Sequence, residues 1–437
     1  MSNYTFNNRG NTMITSAEND LMCRVEGDAP MGSVMRHYWM VACLSEEIKE
    51  SGGKPLRVGL IGKKYVAFRN TAGEAGFLDE KCSHRGASLA LGRNEECGLT
   101  CLYHGWRTNV KGEIIDMPSE PEESGFRKKI KHNAYAVKEW AGVIWVYLGD
   151  QTEVPEFVPP AWAPTADTKV SIAKIRIPCN WAQVTEGALD SAHSSSLHSS
   201  DMVPSRVLEA EADESSWYRP STDKNPKFRV EKTNYGYHYA AIRRPIKNAS
   251  THDYIRTSVF VAPMSVLIPP NKSYNVANVN VPIDDDNTMF HFIGWGENCP
   301  DQDAWCKFLS AEQGIDVDEK WISKRNIDND FLQDRELMAE GNYTGIPGIP
   351  NQDIAMWITM GSVADRTEDT LGASDISIVE FRRCVLEQVN LMKSDPKEFS
   401  QQIYRKGVET ILPSWQGVVP KGTDWTSLEG RSKVKMT

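Results

Sequence analysis

The pattern of apolar and polar positions changes character twice along the chain. Residues 12–50 begin with an amphipathic helix signal. Leu21, Met22 and Val25 follow a Thr15 or Ser16 able to cap, and Glu18 stands at capping-box distance from Thr15. From about Arg36, short runs rich in Val, Ile, Tyr and Trp alternate with Gly, Asn and Asp turns. PLRVGLIGKKYVAFRNTAGEAGFLDE (55–80) predicts three strands of a meander, and AYAVKEWAGVIWVYLG (134–149) predicts two more. Prolines then cluster in EVPEFVPPAWAP (153–164), which reads as a linker. Beyond it come a strand, KVSIAKIRIP, and a helix-like segment, NWAQVTEGALDSAHSSSLH, followed by a run of long strands over 227–293. Helical periodicity takes over from about Ala304, with an apolar face across 376–396 that stops at Pro396. Strands followed by helices predict an α+β second domain with an antiparallel sheet. The expected organisation is an N-terminal helical segment (1–36), a small β domain (37–152) and the α+β domain (153–437).

Composition narrows the class. At 437 residues the chain is too long for one core, and 40% hydrophobic with 25% charged residues is an ordinary globular balance. The most apolar stretch, AGVIWVYLG, suits a buried strand and is too short to span a bilayer, so no membrane segment is expected. A formal charge of −10 argues against nucleic acid as a partner. The first residues lack a secretory pattern, and the nine cysteines are odd in number and scattered. A reducing cytoplasm, with cysteines buried or ligating metal, is the expectation.

Two constellations carry chemistry. The first is Cys82-x-His84 with Cys101-x-x-His104, one thiol and one imidazole from each of two loops. Tetrahedral zinc also takes two Cys and two His, but its sites usually pair like ligands at C-x2-4-C and H-x3-5-H spacing. The mixed pairs here match a Rieske 2Fe–2S centre, in which one iron takes both cysteines and the other both histidines. Gly86, Gly92 and Gly98 would let the loops turn tightly, Gly105 follows the last ligand, and Cys97 stands outside the pattern.

The second constellation is Asp190-x-x-His193-x4-His198. On a straight helix Glu186, Asp190 and His193 would share a stripe, within roughly 60° of one another. His198 would point away, so the Ser-rich bend at 194–196 must end or distort the helix if both rings are to meet one ion. Two histidines and a carboxylate from elsewhere make the facial triad of non-haem Fe(II) oxygenases. Alone, a His pair among serines is a weak signal. An electron-transfer cluster upstream gives it a purpose.

Together, CSHRGASL, CLYHGW, DMPSEP, EGALDSAHSSSLH, NQDIAMW and RTEDTLGASD resemble the α subunit of Rieske non-haem iron oxygenases, an aromatic ring-hydroxylating family, and most of all its phthalate dioxygenase branch. The resemblance covers nearly the whole chain. It implies an all-β Rieske domain over 37–152, a helix-grip catalytic domain over 153–437, and residues 1–36 packed on the latter. It implies a 2Fe–2S cluster on Cys82, His84, Cys101 and His104, and a mononuclear Fe(II) on His193, His198 and a third ligand mapping to Asp353. Asp365, Asp369 and Asp375 are rivals for that place, but they lie among charged residues, whereas Asp353 sits beside Ala355, Met356 and Trp357, where a buried carboxylate needs compensation. The resemblance also gives Asp190 a catalytic bridging role between His193 and the His104 of a neighbouring subunit, in a homotrimer or stacked trimers.

The implied reaction inserts dioxygen into an aromatic carboxylate, as a cis-dihydroxylation, with electrons from a separate NADH-dependent reductase; no GxGxxG follows a strand here. Monooxygenation or O-demethylation is the alternative within the class. An electron carrier without a second iron is the alternative outside it. A buried substrate carboxylate needs guanidinium partners, and Arg206, Arg243 and Arg244 are the candidates. Alternation puts Arg243 with Tyr239 and Ala241 on one face and Arg244 on the other, so one of the pair is expected to point inward, Arg243 by preference. Val259, Val261, Val266 and Ile268 could line a pocket or simply pack the core.

Overall fold

The structure is a computed structural model, described for residues 14–162, 168–204, 217–269, 274–403 and 413–428. Helix α1 (Ser16–Cys23) starts with the expected capping box: the Thr15 hydroxyl accepts from the Glu18 N–H, and the Glu18 carboxylate accepts from the Thr15 N–H. Its last carbonyl, on Cys23, accepts hydrogen bonds from Asn180 and Trp181.

The chain forms two compact units, one of Val25–Pro159 and one of Pro160 onward together with the chain start through Arg24. Helix α2 (Pro30–Arg36) and residues 153–159 therefore belong to the smaller unit, not to the larger one as the sequence boundaries at 36 and 152 had it. Contacts explain the shift. Trp39 Nε1 donates to the Pro155 carbonyl, and the Phe157 ring meets both Trp39 and Trp145. Gly32 of α2 lies so close to the Val25 carbonyl and Ile61 that a Cβ there would clash.

The smaller unit is built from strands β1 (Trp39–Leu44), β2 (Leu56–Leu60), β3 (Lys63–Arg69), β4 (Ala75–Asp79), β5 (Arg93–Glu95), β6 (Gly98–Thr100), β7 (Arg107–Asn109), β8 (Ile114–Asp116), β9 (Ala136–Trp140) and β10 (Val143–Tyr147). They form three antiparallel sheets, ordered β1-β10-β9, β2-β3-β4 and β5-β6-β7-β8. The meander predicted over 55–80 is β2-β3-β4. Val66, Phe68, Leu78, Leu89 and Leu99 pack in one core with Cys82 and Cys101, so these two cysteines are seated on the hydrophobic interior.

The larger unit centres on an antiparallel sheet of β11 (Val170–Ile177), β12 (Lys227–Thr233), β13 (Gly236–Arg243), β14 (His252–Val261), β15 (Ser265–Ile268), β16 (Asn275–Pro282), β17 (Thr288–Trp295) and β18 (Trp415–Pro420). The order is β11-β17-β16-β15-β14-β13-β12, with β18 also paired to β14. Helix α3 (Trp181–Leu189) lies on this sheet, and Asn280 Nδ2 of β16 donates to Thr185 Oγ1 within it. Among the described residues five further helices follow: α4 (Gln302–Phe308), α5 (Arg335–Ala339), α6 (Ile349–Thr359), α7 (Ile376–Ser394) and α8 (Pro396–Ile403). Ile175, Phe290 and Phe292 from the sheet join Val184 of α3 and Ile354 and Trp357 of α6 in the main core. One small, mainly β unit and one unit whose antiparallel sheet carries helices make the α+β architecture expected.

Candidate active site

The two cluster loops share one local design. In each, the Cys N–H donates to the carbonyl five residues on, Cys82 to Ala87 and Cys101 to Trp106, both at 2.8 Å. In each, a glycine four residues on returns a bond to the Cys carbonyl, Gly86 and Gly105, both at 2.9 Å. Those glycines have φ of 73° and 76°, a conformation costly for other residues. The repeated turn presents like with like. The two thiols lie in hydrogen-bonding contact, and the His84 and His104 ring centroids are 4.4 Å apart. Burial pushes the Cys82 thiol up to about 11, so a thiolate here needs a compensating cation. His84 stacks flat on Trp106, and its buried Nδ1 has no hydrogen-bond partner. Leu102 and Tyr103, beside His104, are exposed. Cys97 stands apart, exposed near Thr71.

In the larger unit α3 ends at Leu189, earlier than the stripe through Glu186, Asp190 and His193 requires. Asp190 is extended at φ −84° and ψ 107°, and its Oδ1 captures the N–H groups of Ala192 and His193. A side chain that satisfies backbone donors locally competes with the helix and stops it. Glu186 instead turns to a different task, accepting from both Arg366 and Arg382. A short 3-10 turn, His193–Ser195, then redirects the chain, as the Ser-rich bend suggested. The result brings three side chains together. The Nε2 atoms of His193 and His198 are 3.1 Å apart, and Asp353 Oδ1 from the first turns of α6 lies 3.4 Å from one and 3.2 Å from the other. Among the described residues this is the one trio of His, Cys, Asp or Glu whose donor atoms all lie within 4.8 Å. The rival aspartates are engaged elsewhere: Asp365 bonds Thr367, Asp369 bonds Arg382, and Asp375 bonds the Gly372 N–H.

Electrostatics suit a cation in the trio. Asp190 Oδ2 lies 3.4 Å from His193 Nδ1. Burial pulls the His193 pKa down, but the hydrogen bond to Asp190 and the charge of Asp353 outweigh it and leave it raised. The ring is drawn toward carrying a positive charge that a metal would supply.

Residues 38–140 match the Rieske [2Fe-2S] domain family, and residues 146–436 match the family described as LigXa C-terminal domain like. The chain is 53% identical over 421 residues, 96% of its length and 95% of the relative's, to the phthalate 4,5-dioxygenase oxygenase subunit of Pseudomonas putida.

The chain belongs to the Rieske oxygenases.

It is also 34% identical, over 86% of its length and 88% of the relative's, to the 3-chlorobenzoate-3,4-dioxygenase oxygenase subunit of Comamonas testosteroni. Among solved structures, NdmB of Pseudomonas putida CBB5 superimposes with a TM-score of 0.60 at 18% identity, covering 85% of this chain and 96% of that one. Dicamba monooxygenase bound to 3,6-dichlorosalicylic acid gives 0.55 at 15% identity, over 82% and 98%. These structural likenesses extend to the fold. As a Rieske oxygenase subunit the chain is an oxidoreductase of the aromatic ring-hydroxylating type, with a 2Fe–2S cluster and a mononuclear iron as its cofactors. The residues present fit both groups: an orphaned buried imidazole nitrogen beside paired thiols in one unit, and two imidazoles converging on a carboxylate in the other. Among the described residues no helix is long and apolar enough to cross a membrane.

The arginines separate cleanly. Arg206 lies outside the described residues. Arg244 is exposed and pairs with Asp223 at 3.0 Å, which removes it from the substrate candidates. Arg243 is 2% exposed, donates from Nη2 to the Ser191 carbonyl at 2.7 Å, and leaves Nε and Nη1 without a partner. Two further guanidinium groups escaped sequence reasoning. Arg256 stands opposite Ala241 on β14 and so shares the inner sheet face with Arg243. Buried Arg219 donates to the Ser194 and Ser195 hydroxyls and to the Ser194 carbonyl, next to His193. Burial, followed by the charge of Arg256, pulls Arg219 and Arg243 down to about 10. Of the valines, Val259 and Val266 are fully buried core, and Val261 and Ile268 are half-buried.

Proposed function

We propose that this Rieske oxygenase acts on an aromatic carboxylate of the phthalate or substituted-benzoate kind, by cis-dihydroxylation, with electrons from a separate NADH-dependent reductase. The observation that carries the reading is Arg243, a buried guanidinium with two unpaired N–H groups. It sits one hydrogen bond from Ser191, in the segment that bears Asp190 and His193. An unpaired buried donor set is costly unless a ligand completes it, and a carboxylate is the group whose geometry matches. Arg256 and Arg219 add positive charge around it. The similarity to the phthalate and 3-chlorobenzoate dioxygenase subunits supports the same class.

In this reading Cys82, His84, Cys101 and His104 hold the cluster, and His193, His198 and Asp353 hold Fe(II). The two groups supply stored electrons and reductive activation of dioxygen. Arg243 fixes the substrate carboxylate and so chooses which ring carbons face the metal. Asp190 accepts a hydrogen bond from His193 Nδ1–H and keeps that ring oriented. It is partly exposed, as is His104, which supports a trimer, single or stacked, where Asp190 meets His104 of the partner subunit.

Oxygen uptake with a generic reductase against phthalate, 3-chlorobenzoate and unsubstituted toluene tests the class. Uptake coupled to a dihydrodiol for the acids, and none for toluene, is expected. Equal turnover of toluene would contradict it. The 27% identity over 88% of this chain to a 5,5'-dehydrodivanillate O-demethylase oxygenase subunit keeps O-demethylation as the second reading, and formaldehyde released from a methoxybenzoate would favour it.

A further inference from the structure

His193 and His198 are backed differently. His193 has a carboxylate behind it, Asp190, whereas His198 has an amide. Gln352, 1% exposed, places Oε1 2.7 Å from His198 Nδ1. Its Nε2 donates to Asp201 Oδ2 at 2.7 Å and to the Ile346 carbonyl at 2.9 Å. A carboxylate and a carbonyl only accept hydrogen bonds, so the amide nitrogen must face them and the amide oxygen must face His198. An amide oxygen also only accepts. His198 therefore carries its proton on Nδ1, and Nε2, the atom 3.2 Å from Asp353, is left with a bare lone pair.

We propose that Gln352 is a positioning residue for the mononuclear metal, the middle link of a chain His198–Gln352–Asp201 that locks the ligating tautomer without adding charge. The site already holds Asp353 and Asp190. A carboxylate at position 352 would stand directly against Asp201, and the amide instead puts that negative charge one link farther from the ring. Gln352 and Asp353 are consecutive in α6, so one stretch of helix supplies both a ligand and the lock on another ligand. The inference rests on the reading that the trio holds a metal, but not on any assignment of substrate.

The test measures Co(II) affinity of cluster-loaded protein whose mononuclear metal has been removed with a chelator, in the absence of substrate. Gln352→Leu should weaken Co(II) binding by about 10- to 100-fold, the range for loss of a partner behind a ligating histidine. Visible absorption of the cluster, housed in the other unit, should stay unchanged. Gln352→Glu keeps the acceptor for His198 but sets two carboxylates against each other, and should also weaken binding. Adding Asp201→Asn reverses the donor and acceptor of that link, since the amide introduced at 201 can donate to the carboxylate introduced at 352. The double variant should bind Co(II) more tightly than Gln352→Glu but below the parent, because the Ile346 carbonyl still faces a carboxylate oxygen. Packing alone predicts no such rescue. Asp353→Asn is the reference. If it abolishes Co(II) binding while Gln352→Leu stays within threefold of the parent, the role of Gln352 is overturned. A double variant no better than Gln352→Glu overturns it too. If Asp353→Asn also binds normally, the metal site itself falls, and the inference with it.

Discussion

Arg243 and Arg244 are adjacent in sequence and opposite in circumstance. Strand alternation was enough to say that the two face different ways, because side chains on a strand point alternately to its two sides. Which one faced inward depends on the neighbours across β12 and β14, which the local pattern does not contain. The consequences for activity differ accordingly. Arg243→Met should raise the KM for an aromatic acid by about 10- to 100-fold, the equivalent of losing a charged hydrogen bond of roughly 1.5–3 kcal/mol. Arg244→Gln, which cuts an exposed pair with Asp223, should change it by less than about twofold. Steady-state kinetics on the two variants side by side check both. Arg219 and Arg256 were illegible for a related reason. Each is a single arginine in unremarkable surroundings, in YRPS and YIRT, and only the sheet register and the return of the chain past His193 bring them near the site.

Among the elements, α3 shows where local reasoning held and where it failed. The helix and the break before His198 were readable from NWAQVTEGALDSAHSSSLH; the Asn180 cap emerges from the structure. The stopping point was not, because Asp190 was assigned to the helix face when its carboxylate satisfies Ala192 and His193 and ends the helix. Glu186 then proves to anchor the helix instead. It is 13% exposed in its side chain, accepts from Arg366 at 3.0 Å and from Arg382 at 2.8 Å, and so ties α3 to α7 and the segment before it. Burial alone would raise its carboxyl pKa; the two guanidinium groups reverse that and hold it below the ordinary value of 4.5. A carboxyl depressed in the folded state stabilises the fold above its unfolded pKa and loses that contribution as the pH falls through its folded one. Glu186→Gln should therefore cost about 3–5 kcal/mol near neutral pH, since it leaves two buried cations under-compensated. The gap between parent and variant in urea unfolding should narrow below about pH 4.5.

At the scale of the whole molecule, the two sets of side chains proposed to hold metal were the most compact in the sequence. Each is compact: Cys82, His84, Cys101 and His104 come from two loops of identical hydrogen bonding, and His193 and His198 from one. Asp353 was harder, being about 155 residues further on, and its choice over Asp365, Asp369 and Asp375 rested on the apolar company it keeps. The domain boundaries were the least legible. Proline-rich residues 153–159 look like a free linker, yet Pro155 and Phe157 are held by Trp39 and Trp145. The proposed pairing of Asp190 with His104 of the partner subunit carries an assembly prediction: light scattering should give about three chain masses, or six if trimers stack. Asp190→Asn should keep both metal groups while slowing the transfer of electrons between them, read by single-turnover oxidation of the reduced cluster.

The account stands most directly on two metal groups held by separate sets of side chains in one polypeptide. Iron and acid-labile sulfide analysis of the parent and of Asp353→Ala addresses that. The parent should carry about three irons and two sulfides per chain, and the variant about two irons, two sulfides, an unchanged cluster spectrum and no turnover. A variant that retains the third iron and its activity would contradict the account.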